Sequence, residues 1–357
     1  MSERNRLINI PVEGVNTITF DGVGADISVH PSSDDKFVLK IDLRGTNEEI
    51  EDYDPLITKT GSNMRVNLEP KKEKWFSLFK RRLVVKVSAR IPVSIKTLNV
   101  RTVSGDIDIT DISAEIALDT VSGDINAKRD NSNAPISFKS VSGDMKFTDL
   151  DISMLNGKTV SGDIHAENVK GERLNITSVS GDISIISSHF KSGKRLFTTS
   201  GDIIFNGPPA PNAKNDLNSV SGDIILTFTK FPSLKLEYHT SSGDFKPKLK
   251  GSFSKIGKHD YLFTVGKGEE RYNIKTTSGD LTVKSPGRKP EFTVEEEDEE
   301  IKTVRKLYEE NKITLEEMRA LMESMGYTDE EIEKYCEGGK NNEKRRNNED
   351  SEDDRRS

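Results

Sequence analysis

The residue types best placed to do chemistry in this chain are the serine and aspartate of a Ser-Gly-Asp triplet, which stands nine times between residues 104 and 280. A hydroxyl beside a carboxylate could serve as part of a catalytic pair, as oxygen ligands for a hard cation, or as a hydrogen-bonding bend. Acid–base catalysis needs a few carboxylates gathered in a cleft with their pKa values pushed apart. Here one carboxylate is repeated evenly and no copy is singled out. The five histidines, His30, His165, His189, His239 and His259, are dispersed and fit no HExxH spacing. The single cysteine, Cys336, excludes an intramolecular disulfide and a four-thiolate zinc site, and it reads as a packing residue. No catalytic residue, metal site or cofactor is expected, and the chain reads as a non-enzyme.

Two readings of the aspartates remain. Asp106, Asp124, Asp144, Asp163, Asp182, Asp202, Asp223, Asp244 and Asp280 would form a ladder if successive copies stack. Like charges at strand spacing repel by about 0.9 kcal/mol per neighbouring pair even in bulk-water dielectric, so something must offset them. In one reading each carboxylate accepts hydrogen bonds from serine hydroxyls or backbone N–H groups. In the other the ladder holds cations such as Ca²⁺, although the GGxGxDxUx nonapeptide of calcium β-rolls is missing.

The elements that position the triplet follow from its spacing. The glycines, Gly105, Gly123, Gly143, Gly162, Gly181, Gly201, Gly222, Gly243 and Gly279, are 18 to 21 residues apart except for a last interval of 36. A period near twenty marks a solenoid, whose repeats bury their faces only by stacking. Aliphatic residues lie two and four positions after the glycine, as in Ile107 and Ile109, and a second pair lies seven and five before it, as in Leu98 and Val100. Alternation predicts that V-S-G-D-I-x-I is one strand with Val, Gly and the aliphatics inward. The Ser or Thr three before the glycine (Thr102, Thr120, Ser140, Thr159, Ser178, Thr198, Ser219, Thr240 and Thr276) then faces outward, and a corner falls between the pair that precedes the glycine and the Val. The expected fold is mainly β: a single-chain parallel β-solenoid of about nine coils with an antiparallel β cap, followed by a small C-terminal α-helical module. The long last interval reads as an inserted hairpin covering the final edge.

The chain of 357 residues divides by composition. Residues 1–97 read as the antiparallel cap, 98–285 as the solenoid, 286–299 as an acidic linker, 300–336 as the helical module and 337–357 as a disordered tail. A net charge of −7 argues against a nucleic-acid partner. The amino terminus has no apolar h-region and there is no run of eighteen apolar residues, so the expected location is cytoplasmic, peripheral at the membrane if it touches one. Within the cap, KKEKWFSLFKRR at 71–82 places Lys71, Lys72, Lys74, Lys80, Arg81 and Arg82 around Trp75, Phe76, Leu78 and Phe79. That tip either tucks its rings under the cap or contacts an anionic membrane or partner. In the helical module Leu307, Leu315, Met318, Leu321, Met322 and Met325 form a stripe, read either as helix packing or as a docking surface for a protein partner or a second copy.

The TVSGDI ladder resembles the bacterial β-strand-repeat family of unknown function that carries a provisional adhesin label, over roughly residues 17–284. KLYEENKITLEEMRALMESMGY resembles the SHOCT-type helical module of LiaX/YvlB-like cell-envelope stress proteins of Gram-positive bacteria, here following the repeat. The resemblance implies a non-catalytic scaffold in the envelope stress response, contacting membrane or a membrane protein through its cap and a partner through its helices. The alternative is a cation- or carbohydrate-binding, adhesin-like surface protein that uses the Ser/Asp face.

Overall fold

The computed structural model describes residues 2–69, 83–128, 132–286, 303–304, 306–308 and 312–324. Two compact units divide at residue 287. The first is the expected parallel β-solenoid: a thirteen-stranded and a fourteen-stranded sheet face each other, and most neighbouring strands are parallel. Each coil contributes one strand to each sheet. Equivalent residues lie in register, so that Ile27, Ile107, Ile125, Met145, Ile164, Ile183, Ile203, Ile224, Leu281 and Phe245 form one continuous inward column. Almost all of these side chains are sealed from solvent, and they supply the hydrophobic drive for stacking.

The corner lies elsewhere than alternation predicts. VSGD is itself the bend, and the strand resumes at the aliphatic that follows it, as at Ile107–Thr110 and Ile183–Ile186. The valines are therefore outside: Val23, Val103, Val121, Val141, Val160, Val179 and Val220 are 39–48% exposed. The Ser or Thr three before the glycine, expected outside, is buried in all nine copies. A small hydroxyl can turn back onto the bend. Thr102, Thr120 and Thr240 accept the N–H of Gly105, Gly123 and Gly243 at 3.1, 3.0 and 2.8 Å. Ser219 and Thr276 instead donate to the carbonyls of Gly201 and Gly279.

Glycine at the bend answers to the next coil. A Cβ on any of the nine would sit 1.9–2.4 Å from the carbonyl oxygen of the residue beneath it, closer than atoms can approach. At the other corner the chain turns through left-handed backbone at Asp111, Asp149, Asn168 and Ser187, three of them Asp or Asn, the non-glycine residues that tolerate this region best. The Phe138 ring fills the space over Gly157, where a Cβ would be 1.8 Å from the ring.

Both ends depart from sequential stacking. Residues assigned to the cap include a coil, Thr17–Asp21 with Ala25–Ser32, in which Gly24-Ala25-Asp26 replaces Ser-Gly-Asp. Outside it lies another, Asn63–Asn67 with Val84–Pro92, parallel to the first. The cap is antiparallel only beyond these, where Ser2–Pro11 pairs Lys36–Gly45, Lys36–Gly45 pairs Val84–Pro92, and Leu56–Thr60 pairs Asn63–Asn67. A short helix, Asn47–Asp52, starts at a capping box between Thr46 and Glu49. At the far end the Gly279 coil inserts between the Gly222 and Gly243 coils. The hairpin Ser252–Lys255/Asp260–Val265 then extends one sheet beyond the Gly243 coil through antiparallel pairing with Leu234–Thr240.

A buried polar cluster explains that insertion. Seven residues before the glycine, where other coils carry Leu or Ile, Lys194, Asn215 and Tyr272 lie on adjacent strands. Lys194 is 2% exposed, with its Nζ 3.2 Å from Glu270 Oε1 and 4.5 Å from the Phe205 ring centre. The Glu270 carboxylate also accepts from Asn215 Nδ2 at 3.1 Å, the Ala210 N–H at 3.0 Å and Tyr272 Oη at 2.8 Å. Burial pushes the Lys194 ammonium below its ordinary pKa against the opposing pull of Glu270. Had the Gly243 coil stacked on the Gly222 coil, Leu236 would face Asn215 and the Lys194 charge would lose its partner, a loss of several kcal/mol, roughly 3–5, for a buried pair.

In the second unit the helix Leu315–Ser324 begins at a cap on Thr314, with the Glu317 N–H donating to Thr314 Oγ1 at 3.3 Å and the Thr314 N–H to Glu317 Oε2 at 2.8 Å.

Two substitutions within one bend test the corner. Gly123→Ala, whose Cβ would meet the Gly105 carbonyl oxygen at 2.0 Å, should lower stability in urea melts by about 1–3 kcal/mol or more. Val121→Ala, at an outward position, should cost less than about 0.5 kcal/mol. The opposite ranking contradicts the placement of the bend.

Candidate functional site

The structure brings all nine predicted aspartates into one row and adds Asp26 at its start. Each triplet aspartate donates its backbone N–H to the Oδ1 of the aspartate in the coil beneath, from Asp106 onto Asp26 to Asp280 onto Asp223 and Asp244 onto Asp280, at 2.8–3.3 Å. The N–H that the bend leaves without a strand partner thus meets the carboxylate that stacking would otherwise leave facing its neighbours. A hydrogen bond to a charged group contributes about 1.5–3 kcal/mol in general, toward the lower end in an exposed row, which is enough to offset the repulsion between neighbours.

Ammonium groups stand at both ends of the row. Lys86 Nζ is 3.5 Å from Asp26 Oδ2; at the other end Lys246 bonds Asp280 and lies 3.9 Å from Asp244. The Lys246 ammonium and then the Asp244 N–H hold the Asp280 carboxyl below the usual carboxylate range. The serines of the triplet run beside the row with their backbone N–H on the carbonyl of the valine below, or of the threonine for Ser221 and Ser242, as for Ser142 on Val121 at 2.7 Å and Ser161 on Val141 at 2.8 Å. Among the described residues no cluster of three or more His, Cys, Asp or Glu side chains is arranged to hold a metal ion.

Other polar groups are either sealed or dispersed. The Lys194–Glu270 cluster was not anticipated, although the replacement of an aliphatic by Lys194 and Asn215 in the repeat pattern is a readable signal. It lies inside the core, where no ligand reaches it. Two open grooves lie on the outer face of the fourteen-stranded sheet. One, of about 550 Å³, is lined by Arg195, Asp216, His239 and Lys275 among others. The other, of about 450 Å³, is lined by Glu237, Tyr261 and Ile256. His239 Nδ1 and Asp260 Oδ1 are 2.7 Å apart beside both grooves, but each side chain is more than half exposed, a setting that leaves such a contact weak.

The remaining predicted contact residues are only partly described. Lys71, Lys72, Lys74, Trp75, Phe76, Leu78, Phe79, Lys80, Arg81 and Arg82 lie outside the described residues, in the segment that connects Asn63–Asn67 to Val84–Pro92 where other coils have VSGD. Of the helical stripe, Met318 and Met322 are buried, Leu307 is half-buried, Leu315 and Leu321 are exposed, and Met325 lies outside the described residues. Among the described residues no helix is long and apolar enough to cross a membrane.

The Toastrack DUF4097 family model matches residues 15–203 and 210–284, which is most of the chain and nearly all of the stacked coils. The chain belongs to the Toastrack DUF4097 family. The match begins before the Thr17–Ser32 coil and ends with the inserted strand Leu281–Lys284, so both ends of the Toastrack solenoid lie within or beside it. No curated protein matches. Solved structures similar to this Toastrack chain include a provisionally named adhesin from Parabacteroides distasonis, at 13% identity and a TM-score of 0.40, covering 79% of this chain and 97% of that one. A second protein of P. distasonis, provisionally named lipid-binding, is 16% identical with a TM-score of 0.36, covering 78% and 96%. A third, a provisionally named cell adhesion protein from Clostridium sporogenes, is 10% identical with a TM-score of 0.24, covering 80% and 100%.

Paired substitutions separate a hydrogen-bonded row from a cation site. Asp163→Asn keeps an acceptor for the Asp182 N–H and should melt near the wild type, whereas Asp163→Ala should lose about 1 kcal/mol. Millimolar Ca²⁺ should shift neither midpoint. A wild-type midpoint that rises with Ca²⁺, together with an Asn variant as damaged as Ala, would establish the cation reading instead.

Proposed function

We propose that this Toastrack protein is a non-catalytic scaffold of the bacterial cell envelope, acting in the response to envelope stress. In this reading the solenoid is a rigid spacer. The basic aromatic segment 71–82 engages anionic membrane or a membrane protein, and the helical module at 300–336 recruits a protein partner or a second copy.

One observation carries the reading: the conspicuous repeated chemistry of the sequence is consumed in holding the coils together. Each aspartate of the row up to the outermost, Asp244, has an acceptor oxygen committed to the next coil, and the interior copies are alike. A surface built of identical rungs suits spacing and contact better than catalysis, which needs one rung unlike the rest. The family match supports a repeat protein of this kind. Segment 71–82 has the composition of an interfacial contact, with its rings suited to the headgroup level and each Lys or Arg contributing about 1 kcal/mol against an anionic leaflet. The exposed Leu315 and Leu321 on the capped helix give the second unit an apolar face for a partner.

Fractionation of native cells should find the protein with the membrane. In vitro, the variant with Trp75, Phe76, Phe79, Arg81 and Arg82 replaced by Ser should lose a substantial part of its flotation with anionic vesicles. Unchanged flotation of that variant removes segment 71–82 from the membrane contact.

A further inference from the structure

The last coil in the stack and the hairpin that follows it form a second surface of distinctive composition, at the end of the solenoid opposite the Asn63–Asn67 and Val84–Pro92 strands. From Phe245 to Lys258 the chain carries five lysines and no acidic residue, within a protein of net charge −7. Lys246, Lys248, Lys250, Lys255 and Lys258 are all exposed. Between them the sheets close on an aromatic cluster: the Phe245 ring centre lies 5.6 Å from Phe253, 5.5 Å from Phe263 and 5.8 Å from Tyr238. The cluster is only partly covered. Phe253, on the edge strand Ser252–Lys255, is 49% exposed, and Ile256, at the turn of the hairpin, is 67% exposed.

Three kinds of partner meet such a surface differently. A second copy docking end to end would bring like charges together and is disfavoured. Strand addition is also hindered, because the other edge strand, Phe245–Lys248, is four residues long and carries Lys246, Pro247 and Lys248, which resist β-pairing. An anionic polymer would satisfy the lysines but leave Phe253 and Ile256 in water. An anionic bilayer satisfies both, since it offers phosphates at the surface and an apolar boundary a few ångströms below.

We propose that this end of the solenoid docks on an anionic lipid surface, with Phe253 and Ile256 entering the headgroup–acyl boundary and Lys248, Lys255 and Lys258 pairing with lipid phosphates. The surface is distinct from the contact proposed for segment 71–82, and either can hold without the other.

The test is flotation of the full chain with vesicles of phosphatidylglycerol mixed into phosphatidylcholine, and of phosphatidylcholine alone. Wild type should float only with the anionic vesicles. Phe253→Ser/Ile256→Ser and Lys248→Glu/Lys255→Glu/Lys258→Glu should each reduce partitioning by about tenfold or more. Ile256→Ser alone, at an exposed turn where it cannot disturb the core, should reduce it in the same direction with an unchanged thermal midpoint. The segment 71–82 variant should keep a fraction that depends on Phe253 and Ile256. Wild-type flotation of the Phe253/Ile256 variant overturns the proposal, and if the segment 71–82 variant alone has then lost binding, the earlier contact stands without it. Retention on heparin beads that is lost in the lysine variant, with vesicle binding insensitive to Phe253 and Ile256, also overturns it and identifies an anionic polymer as the partner.

Discussion

The coils approach one another so closely at the VSGD bend that nothing larger than a hydrogen fits between them. An added Cβ would lie 1.9–2.4 Å from a backbone oxygen at every one of the nine triplet glycines. Close approach lets the serine N–H reach the valine carbonyl below and the aspartate N–H reach the carboxylate below. It leaves the valine side chain no inward direction and turns the hydroxyl before it into the interior, where six of the nine bond backbone at the bends, while those of Ser140, Thr159 and Ser178 are buried without a hydrogen-bond partner. The Ser-Gly-Asp signature is thus the chemistry of one tight corner, written once for each coil that must stack there.

The periodicity of the glycines and aliphatics makes the parallel solenoid legible from sequence, because any twenty-residue unit with two short apolar faces must bury them on its neighbours. The direction of the side chains at the bend was not legible. Val103 is apolar and yet exposed, and Thr102 is polar and yet buried, so alternation read from hydrophobicity places both on the wrong side. The cause is local: at a bend the two-residue period of a strand breaks, and the path of the backbone, reinforced in six copies by a hydroxyl–backbone hydrogen bond, sets which side chain faces in. The coil at Gly24-Ala25-Asp26 carries only a degenerate form of the triplet, since Ala25 stands where the other coils have glycine.

Stacking order is a different kind of information, and a period carries none of it. Coils with the same aliphatic pattern are interchangeable, so it falls to the exceptions to say which neighbours belong together. Lys194, Asn215, Glu270 and Tyr272 are such exceptions: each satisfies another only if the Gly279 coil lies on the Gly222 coil. Polar groups buried in an otherwise aliphatic interior thereby specify one arrangement, at the cost of desolvating a charge pair. The same insertion leaves the Gly243 coil and its hairpin outermost, and so presents the lysine-rich, aromatic end. The two ends of the solenoid, and the helix capped by Thr314, carry the variation that the rungs lack, and the functional roles are assigned there for that reason.

Disulfide trapping reads the stacking of the corners most directly. In a Cys336→Ser background, Ser221→Cys/Ser278→Cys joins residues whose hydroxyls are 3.4 Å apart although 57 positions separate them, and oxidation should cross-link it nearly completely within the monomer. Ser221→Cys/Ser242→Cys joins consecutive triplets that are held two coil spacings apart, about 9–10 Å, and should remain reduced. Cross-linking of the second pair and not the first would contradict both the order of the coils and the stacked corners on which the structure rests.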